Sequence, residues 1–383
     1  MEEYVDAVVM ECRRGEKEKR RKGEEEKRYS LNPYFQKAPL VADNLTVLRS
    51  YALTVYFGGG TPTLLPVNSL QKILNVIYEN YEVDVDAEIT IEANPEQCSL
   101  EYLTVLRKMG FNRISIGIQS FNDEILQYLG RTHSAQNALD AVENARKAGF
   151  DIISVDLIYG IYLRSLQDWK NELKMVFSLP VKHLSAYSLT VEENTLLHKK
   201  ISQHKTLNIN EEQTLEEMKV LMEEAEKNGF EHYEVSNFAL KDYRSKHNSN
   251  YWNGTPYLGL GAGAHSYSGN TRSWNVANVS QYINAIQNNE SCFETETLTP
   301  ENQYNEYVLL RLRTKEGIDL KHFEEHFGTE KREYFLQKLQ KISPKFYKID
   351  SDKVCITKEG LPLLDFITER LVLPIRIIFR RKS

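Results

Sequence analysis

The chain has 383 residues, of which 41% are hydrophobic and 27% charged, so it can bury a sizeable core and is not a wholly disordered protein. Its net charge of -6 and pI of about 5.9 argue against a general affinity for nucleic acid or anionic lipid. No apolar run reaches the roughly 20 residues of a membrane span, and the acidic N-terminus does not resemble a signal peptide. A cytoplasmic location without a transmembrane segment is therefore predicted.

The N-terminal part, residues 1–50, is predicted to be a charged helix and linker. Nearly every side chain in residues 11–28 is charged with both signs mixed, which is typical of a solvated segment. No chemistry is predicted for it.

After this segment, apolar runs rich in β-forming residues alternate with amphipathic stretches of helical period. The predicted strands are 53–57, 88–93, 113–118, 152–158, 183–188 and 232–235, and the predicted helices are 69–78, 100–109, 135–148, 166–177 and 211–228. This pattern indicates βαβ units and a parallel sheet over residues 51–285. Residues 286–383 are predicted to form a smaller α+β domain with a winged-helix-like arrangement.

Polar residues gather at the ends of the predicted strands. Glu92, Gln119 and Asp156 lie at or near the ends of three strands, and three glycines, 58–60, follow another. A single carboxylate there is often only a helix cap. Because strand ends of a parallel barrel converge on one face, four strands with this feature predict a shared site.

Four motifs describe that site. They are Tyr56-Phe-Gly-Gly-Gly-Thr-Pro-Thr63, Ile91-Glu-Ala-Asn-Pro95, Gly117-Ile-Gln-Ser-Phe121 and Asp156-Leu-Ile-Tyr-Gly160. The glycines let the backbone approach a ligand, and the acids suit paired ribose hydroxyls because a carboxylate offers two acceptor oxygens. In this order the motifs resemble radical S-adenosylmethionine (SAM) proteins related to oxygen-independent coproporphyrinogen III oxidase.

Motifs later in the chain narrow the resemblance. They include His232-Tyr-Glu-Val-Ser-Asn-Phe-Ala239, His247-Asn-Ser-Asn-Tyr-Trp252 and Tyr257-Leu-Gly-Leu-Gly261. Within the family, these resemble the heme chaperones called HemW, over nearly all of the chain after the charged segment. The resemblance implies a partial TIM-like (β/α) barrel of the radical SAM type, with its first strand missing, followed by the α+β domain.

The resemblance also implies binding roles, carried over position by position. Gly59, Gly60 and Thr61 would contact the methionine end of SAM, and Glu92 and Asp156 the nucleoside. Gln119 and Arg131 would line the same pocket, although Arg131 alone would be interpreted as a solvated cation. His247 would contact heme, since imidazole nitrogen is a suitable axial donor to iron. A lone histidine is more often structural, and that alternative stays open.

One departure from the family concerns the [4Fe–4S] cluster, which relatives hold with three closely spaced cysteine thiolates. The four cysteines here, Cys12, Cys98, Cys292 and Cys355, are far apart. Residues 1–8 resemble the helix that follows the cysteine loop, so the ligands are expected to be missing through truncation or, alternatively, through true loss; truncation is favoured. A second departure is residues 161–165, where relatives usually have a proline–glycine turn.

Three functions follow from the resemblance. The first hypothesis is a chaperone that binds heme and SAM and transfers heme to an acceptor protein that the sequence does not identify. The alternative is a radical SAM oxidoreductase that converts coproporphyrinogen III. The third is an inert fragment that binds neither cluster nor SAM, and whether the chain is an enzyme is left open.

Overall fold

A computed structural model describes residues 1–26, 51–191, 198–199, 201, 203 and 210–374. The chain divides into two compact units. Unit 1 comprises residues 1–55, 64–89 and 257–296, and unit 2 comprises residues 56–63, 90–256 and 297–383. The domain limits predicted from the sequence stay a prediction, and the linker proposed after residue 26 lies outside the described residues.

The main sheet has seven strands in the order β1-β2-β3-β4-β5-β7-β6. These strands are β1 (Tyr51–Phe57), β2 (Glu82–Ala93), β3 (Arg113–Gln119), β4 (Ile152–Tyr159), β5 (His183–Ser188), β6 (Glu231–Glu234) and β7 (Asn237–Ala239). β3 and β4 are rich in isoleucine and buried on both faces, which is typical of central parallel strands. The predicted barrel type is confirmed as a half-barrel sheet.

The prediction of an all-parallel sheet is wrong at one edge. Strands β2 to β5 are parallel to one another, but β7 runs antiparallel to both β5 and β6. Only Val235 and Ser236 separate β6 from β7. So short a link allows an antiparallel pair, whereas a parallel pair requires a crossover of a dozen or more residues.

Helices of unit 2 follow strands β2, β3, β4, β5 and β7 along the chain. They are α3 (Leu100–Met109), α4 (Asp123–Tyr128), α5 (Ala135–Lys147), α6 (Leu166–Ser178), α7 (Glu211–Lys227) and α8 (Lys246–Trp252). Most begin at a residue whose side chain accepts a backbone N–H of the first turn: Ser99 for α3, Ser134 for α5, Ser165 for α6 and Ser245 for α8. These caps fix where each loop ends and therefore where the strand-end residues stand.

Unit 1 contains α1 (Glu2–Glu26), α2 (Val67–Asn80) and α9 (Val279–Gln287), together with β8 (His265–Tyr267), β9 (Thr271–Asn275) and most of β10 (Phe293–Thr297). Val9 and Cys12 of α1 pack with Val76 and Tyr81 in a small core. The carboxylate of Glu11 accepts hydrogen bonds from the Gly261 N–H and from Asn275 and Tyr282. The prediction that residues 11–28 form a solvated segment is therefore wrong for Glu11 and Cys12, whose side chains contact other residues of unit 1.

The C-terminal part of unit 2 runs through α10 (Pro300–Leu312), β11 (Ile318–Asp319), α11 (Leu320–Phe327), α12 (Thr329–Leu339), β12 (Tyr347–Asp350), β13 (Lys353–Ile356) and α13 (Leu364–Leu371). Its strands form a separate sheet in the order β11-β13-β12. Tyr304, Phe323 and Phe335 are fully buried at its centre. The α+β arrangement predicted for this part is confirmed. Among the helices that the structure describes, none is long and apolar enough to cross a bilayer.

Candidate functional site

A polar cavity of about 100 Å³ lies within unit 2. Side chains from β1 to β5 and from α8 line it, and they include Glu92, Ser115, Asp156 and Ser185. The strand register brings these residues together, because Glu92 pairs with Ser115 on the next strand and Asp156 pairs with Ser185. Two of the acids that the sequence predicted for a common site therefore share one cavity.

Glu92 is held by two donors from the strand and loop of the first motif. The Tyr56 hydroxyl donates to Oε1 at 2.6 Å, and the Gly59 N–H donates to Oε2 at 3.2 Å. A Cβ at Gly58 would lie 2.5 Å from the Tyr56 ring and 2.8 Å from Oε1 of Glu92, so a glycine is required there. Since each carboxylate oxygen can accept two hydrogen bonds, each can accept one more from a ligand.

Asp156 is the second carboxylate of the cavity. Ser115 donates to its Oδ1 at 3.1 Å, and Ser185 also bonds the side chain. Burial and, to a smaller extent, the charge of Glu92 raise the pKa of Asp156 to about 6 against the opposing effects of the two serines and of Arg113. Two acids that repel each other across a cavity, with a pKa displaced toward neutrality, are typical of a functional site.

The wall beside Asp156 is neutral apart from one guanidinium. His183 is buried, with Nδ1 2.6 Å from the Ser154 hydroxyl and Nε2 2.8 Å from the Tyr233 hydroxyl. Burial, assisted by the charge of Arg113, holds the pKa of His183 well below its usual range, so the ring is uncharged. Arg113 is therefore the basic group that faces the two carboxylates.

The glycine loop after β1 has the open backbone that the sequence predicted. Gly59 and Gly60 adopt φ values of +78° and +116°, and a Cβ at either position would meet nothing within 4 Å. The Asn94 side chain donates to the Thr61 hydroxyl at 3.2 Å, which ties this loop to the end of β2. The first two motifs are thus joined by three hydrogen bonds.

Gln119 ends β3 in a left-handed conformation, with φ of 68°. The register between β3 and β4 shifts at this point. The side-chain nitrogen lies 2.9 Å from where a Cβ of Gly117 would stand, so that glycine makes room for the amide. Non-glycine residues in this conformation cluster at functional sites, which supports the role predicted for Gln119. Gln119 is nevertheless not among the residues that line the cavity.

Arg131 is not brought to the cavity. It is exposed, and its backbone N–H donates to the Leu126 carbonyl at 2.8 Å, closing the turn at Gly130 after α4. This exposed position agrees with the interpretation of Arg131 as a solvated cation, which its local sequence indicates. The pocket role implied by the resemblance stays a prediction.

His247 lies on α8 beside the first motif. Its ring stacks on the Tyr56 ring with centroids 4.5 Å apart and planes 18° from parallel. Its Nε2 lies 3.1 Å from the Tyr251 hydroxyl, one helical turn along. The next residue, Asn248, lines the cavity that contains Glu92 and Asp156. Consecutive residues of this motif therefore face the cavity and the Tyr56 ring.

Several residues of the cavity do not follow from the sequence motifs. Tyr56 enters them only as the start of the glycine motif, and Ser115, Ser185 and Asn248 are not predicted as site residues. Period-two alternation along β3 and β5 could have found the two serines, because a polar residue on a strand face shared with Asp156 must enter the same cavity. The contact between Tyr56 and His247 has no local sequence signal.

Comparison with known proteins places the chain in a family. It is 34% identical over 321 residues to the heme chaperone HemW of Lactococcus lactis, covering 84% of each protein. It is 35% identical over 345 residues to that of Bacillus subtilis, covering 86% of this chain and 91% of the relative. The chain belongs to the HemW family of radical SAM proteins.

Family models and a solved structure agree with this assignment. The radical SAM superfamily model matches residues 29–176, and the HemN C-terminal domain model matches residues 298–363. The coproporphyrinogen III oxidase HemN of Escherichia coli superposes with a TM-score of 0.75 at 22% identity, covering 97% of this chain and 83% of that one. At that identity the match shows the shared fold.

Radical SAM membership implies SAM and a [4Fe–4S] cluster. SAM fits the residues of this HemW-family chain, because the open glycine backbone adjoins carboxylates able to accept ribose hydroxyls. The cluster does not fit the described residues. All four cysteines are separately buried as free thiols, and within the described part of the chain no three potential ligands come together. Burial also raises the pKa of Cys98 to about 12, which opposes a thiolate there.

Proposed function

We propose that this chain binds heme and SAM and passes heme to an acceptor protein. The names of the HemW relatives, which it matches over most of their length, support this function. The observation that carries the proposal is the placement of α8, which presents His247 on the Tyr56 ring and Asn248 in the cavity beside Glu92 and Asp156.

In the proposed SAM site, Glu92 and Asp156 accept the hydroxyls of the nucleoside. Gly59, Gly60 and Thr61 would approach the methionine end, and Gln119 and Arg131, which lie outside the cavity lining, would contact the same ligand. Tyr56 and Gly59 orient Glu92, so that its carboxylate presents its remaining acceptor positions to the ribose. SAM would be the ligand that occupies this cavity, and the chain would supply hydrogen-bond acceptors and exclude water.

In the proposed heme site, an imidazole nitrogen of His247 would bind the iron. The Tyr251 hydroxyl lies 3.1 Å from Nε2 and holds that edge of the ring, as donor or as acceptor. The stacked Tyr56 ring limits rotation of the imidazole. Since His247 is only half-buried, heme bound there could leave for an acceptor protein.

Heme titration of the purified chain tests this proposal through the Soret absorbance. We expect His247→Ala to weaken binding at least about tenfold, which corresponds to roughly 1.4 kcal/mol. The matched control is His322→Ala on α11, outside the proposed site, which should bind like the wild type. Equal binding by wild type and His247→Ala would refute the proposed ligand.

A nucleoside titration tests the proposed SAM site. Calorimetry should detect S-adenosylhomocysteine binding to the wild type and its loss in Glu92→Ala, but not in Glu101→Ala on the exposed face of α3. A chain that binds neither heme nor nucleoside is the inert fragment. Conversion of coproporphyrinogen III under anaerobic reducing conditions would instead favour the oxidoreductase.

A further inference from the structure

Tyr56 touches both proposed binding sites. Its hydroxyl donates to Oε1 of Glu92 at 2.6 Å, and its ring stacks on the imidazole of His247 with centroids 4.5 Å apart. The acid belongs to the nucleoside cavity and the histidine to the heme site. One rigid side chain therefore spans the distance between them.

The two contacts constrain each other. Burial, together with the charge of Glu92, raises the pKa of Tyr56 far above its usual range, so the hydroxyl stays protonated and acts as a donor to the carboxylate. The phenol ring is planar, and the hydroxyl lies in its plane. A shift of Glu92 therefore moves the ring face on which His247 rests.

Close contacts link this pair to its surroundings. The position of Gly58 has no room for a Cβ because the Tyr56 ring and Glu92 occupy that space. The Gly59 N–H fixes the second oxygen of Glu92 at 3.2 Å. On the other side, Tyr251 meets the His247 ring edge-on, with centroids 4.9 Å apart. The imidazole is thus enclosed between two tyrosines, one of which is oriented by the nucleoside carboxylate.

We propose that Tyr56 is a positioning residue that couples the two sites, so that ribose hydroxyls bound to Glu92 increase the affinity for heme at His247. This inference rests on the proposed function. A bound ribose immobilises Glu92, which orders the Tyr56 ring and holds the imidazole in one orientation before heme arrives. Since the nucleoside has then already ordered side chains that heme binding also requires to be ordered, heme binds more tightly. Heme strengthens nucleoside binding by the same factor.

The test is a heme titration of the wild-type chain alone, with saturating SAM, with saturating adenosine, and with saturating 2′,3′-dideoxyadenosine. SAM and adenosine should strengthen heme binding at least about fivefold, the lower end of typical couplings between sites. Dideoxyadenosine lacks both hydroxyls that Glu92 would accept, so it should leave heme affinity unchanged.

The decisive variant is Tyr56→Phe, which keeps the ring on His247 and removes the hydroxyl from Glu92. The measured quantity is the ratio of its heme affinities with and without saturating SAM or adenosine, and this ratio should fall to about one whatever the affinity of the variant alone. Tyr102→Phe is the matched control, because it also removes a tyrosine hydroxyl, bonded to the Thr63 carbonyl at 3.2 Å, and should keep the full strengthening.

The outcomes separate this inference from the proposed function. Heme and SAM binding without mutual strengthening, or strengthening that survives in Tyr56→Phe, overturns the coupling and leaves the two binding sites intact. A wild-type chain that binds no heme or no nucleoside overturns both. Strengthening that is lost in Tyr56→Phe and kept in Tyr102→Phe supports the coupling.

Discussion

Unit 2 contains two groups of carboxylates, one half-buried and one buried, that differ in what surrounds them. In the cavity, Glu92 and Asp156 are held by hydroxyls and by a backbone N–H. In the second group, Arg164 lies between Glu172 and Glu217, at 2.9 Å and 2.8 Å. The first group adjoins open volume, whereas the second is enclosed by protein.

The oxygens of the second group are supplied with donors by the protein itself. Glu217 also accepts the Gly160 N–H at 2.7 Å and the Gln213 amide at 3.0 Å. Ser120 donates to Glu172, and the Arg164 guanidinium lies 4.1 Å from the centre of the Trp169 ring. These contacts join the loop after β4 to α6 and α7.

The contrast separates structural acids from acids kept for a ligand. A guanidinium between two carboxylates compensates their burial and fixes a loop. Where hydroxyls and amides are the nearest partners and a cavity is present, Arg113 compensates the charge only in part, which destabilises the protein without its ligand and favours binding. Substitutions at Arg164, Asp156 and Ser115 test this distinction.

Arg164→Met should have the largest effect on stability. Removing the guanidinium leaves Glu172 and Glu217 buried without a cation, so the free energy of unfolding should fall by about 3–5 kcal/mol. Urea unfolding monitored by circular dichroism measures this change. Arg146→Met, which breaks an exposed ion pair with Glu143, is the control and should leave the urea midpoint unchanged. Equal midpoints for both variants would contradict a structural role for Arg164.

Asp156→Asn should change stability in the opposite direction. The pKa of Asp156 is about 6 in the native state and near 3.9 in the unfolded chain. Between pH 4 and pH 6 the carboxyl is therefore still protonated in the native state but already ionised in the unfolded chain. The stability of the wild type should therefore fall as pH rises from about 4 to about 6 and stay lower above that range. The Asp156→Asn variant has no carboxyl to ionise at this position, so it should be more stable than the wild type at pH 7.5 by about 1–3 kcal/mol.

Unfolding curves at pH 4 and pH 7.5 check the prediction for Asp156, and the gain should vanish at the lower pH. Nucleoside affinity should fall in the same variant, since it loses a carboxylate acceptor. The matched substitution Glu172→Gln should instead destabilise the chain at pH 7.5, because it removes a partner of Arg164. A gain in stability for Glu172→Gln would show that the two groups do not differ.

Ser115→Ala should have the smallest effect. The serine hydroxyl donates to the ionised form of Asp156, so its loss should raise the pKa of Asp156 further and shift the pH midpoint of the stability change upward. The accompanying loss of stability is about 1 kcal/mol. Ser120→Ala, at Glu172, should leave that midpoint in place, and an identical midpoint in Ser115→Ala would mean that the serine does not act on Asp156.

The sequence predicted those parts of the fold that depend on local periodicity. The strands around Ile114, Val155 and Leu184 and the helices between them follow from apolar spacing and from serine caps. The β6–β7 pair escaped prediction because three residues, Asn237–Ala239, are too few to show a period. The departure at residues 161–165 was noted, but the burial of Arg164 there depends on acids 8 and 53 residues away along the chain.

The site was predictable to the extent that each strand ends in a recognisable residue. Glu92 and Asp156 meet because parallel strands align, which is a property of topology rather than of local sequence. The contact between Tyr56 and His247 joins residues far apart in the chain through ring packing. No spacing rule predicts such a contact, so only the structure reveals it.

The two adjacent residues at the start of α8 impose a constraint on how this segment can evolve. Successive helical positions point about 100° apart, so His247 and Asn248 reach different neighbours only while the helix keeps its present phase. Inserting or deleting one residue between the Ser245 cap and His247 would turn both side chains away from their partners at once. We therefore expect this segment to accept substitutions far more readily than changes of length.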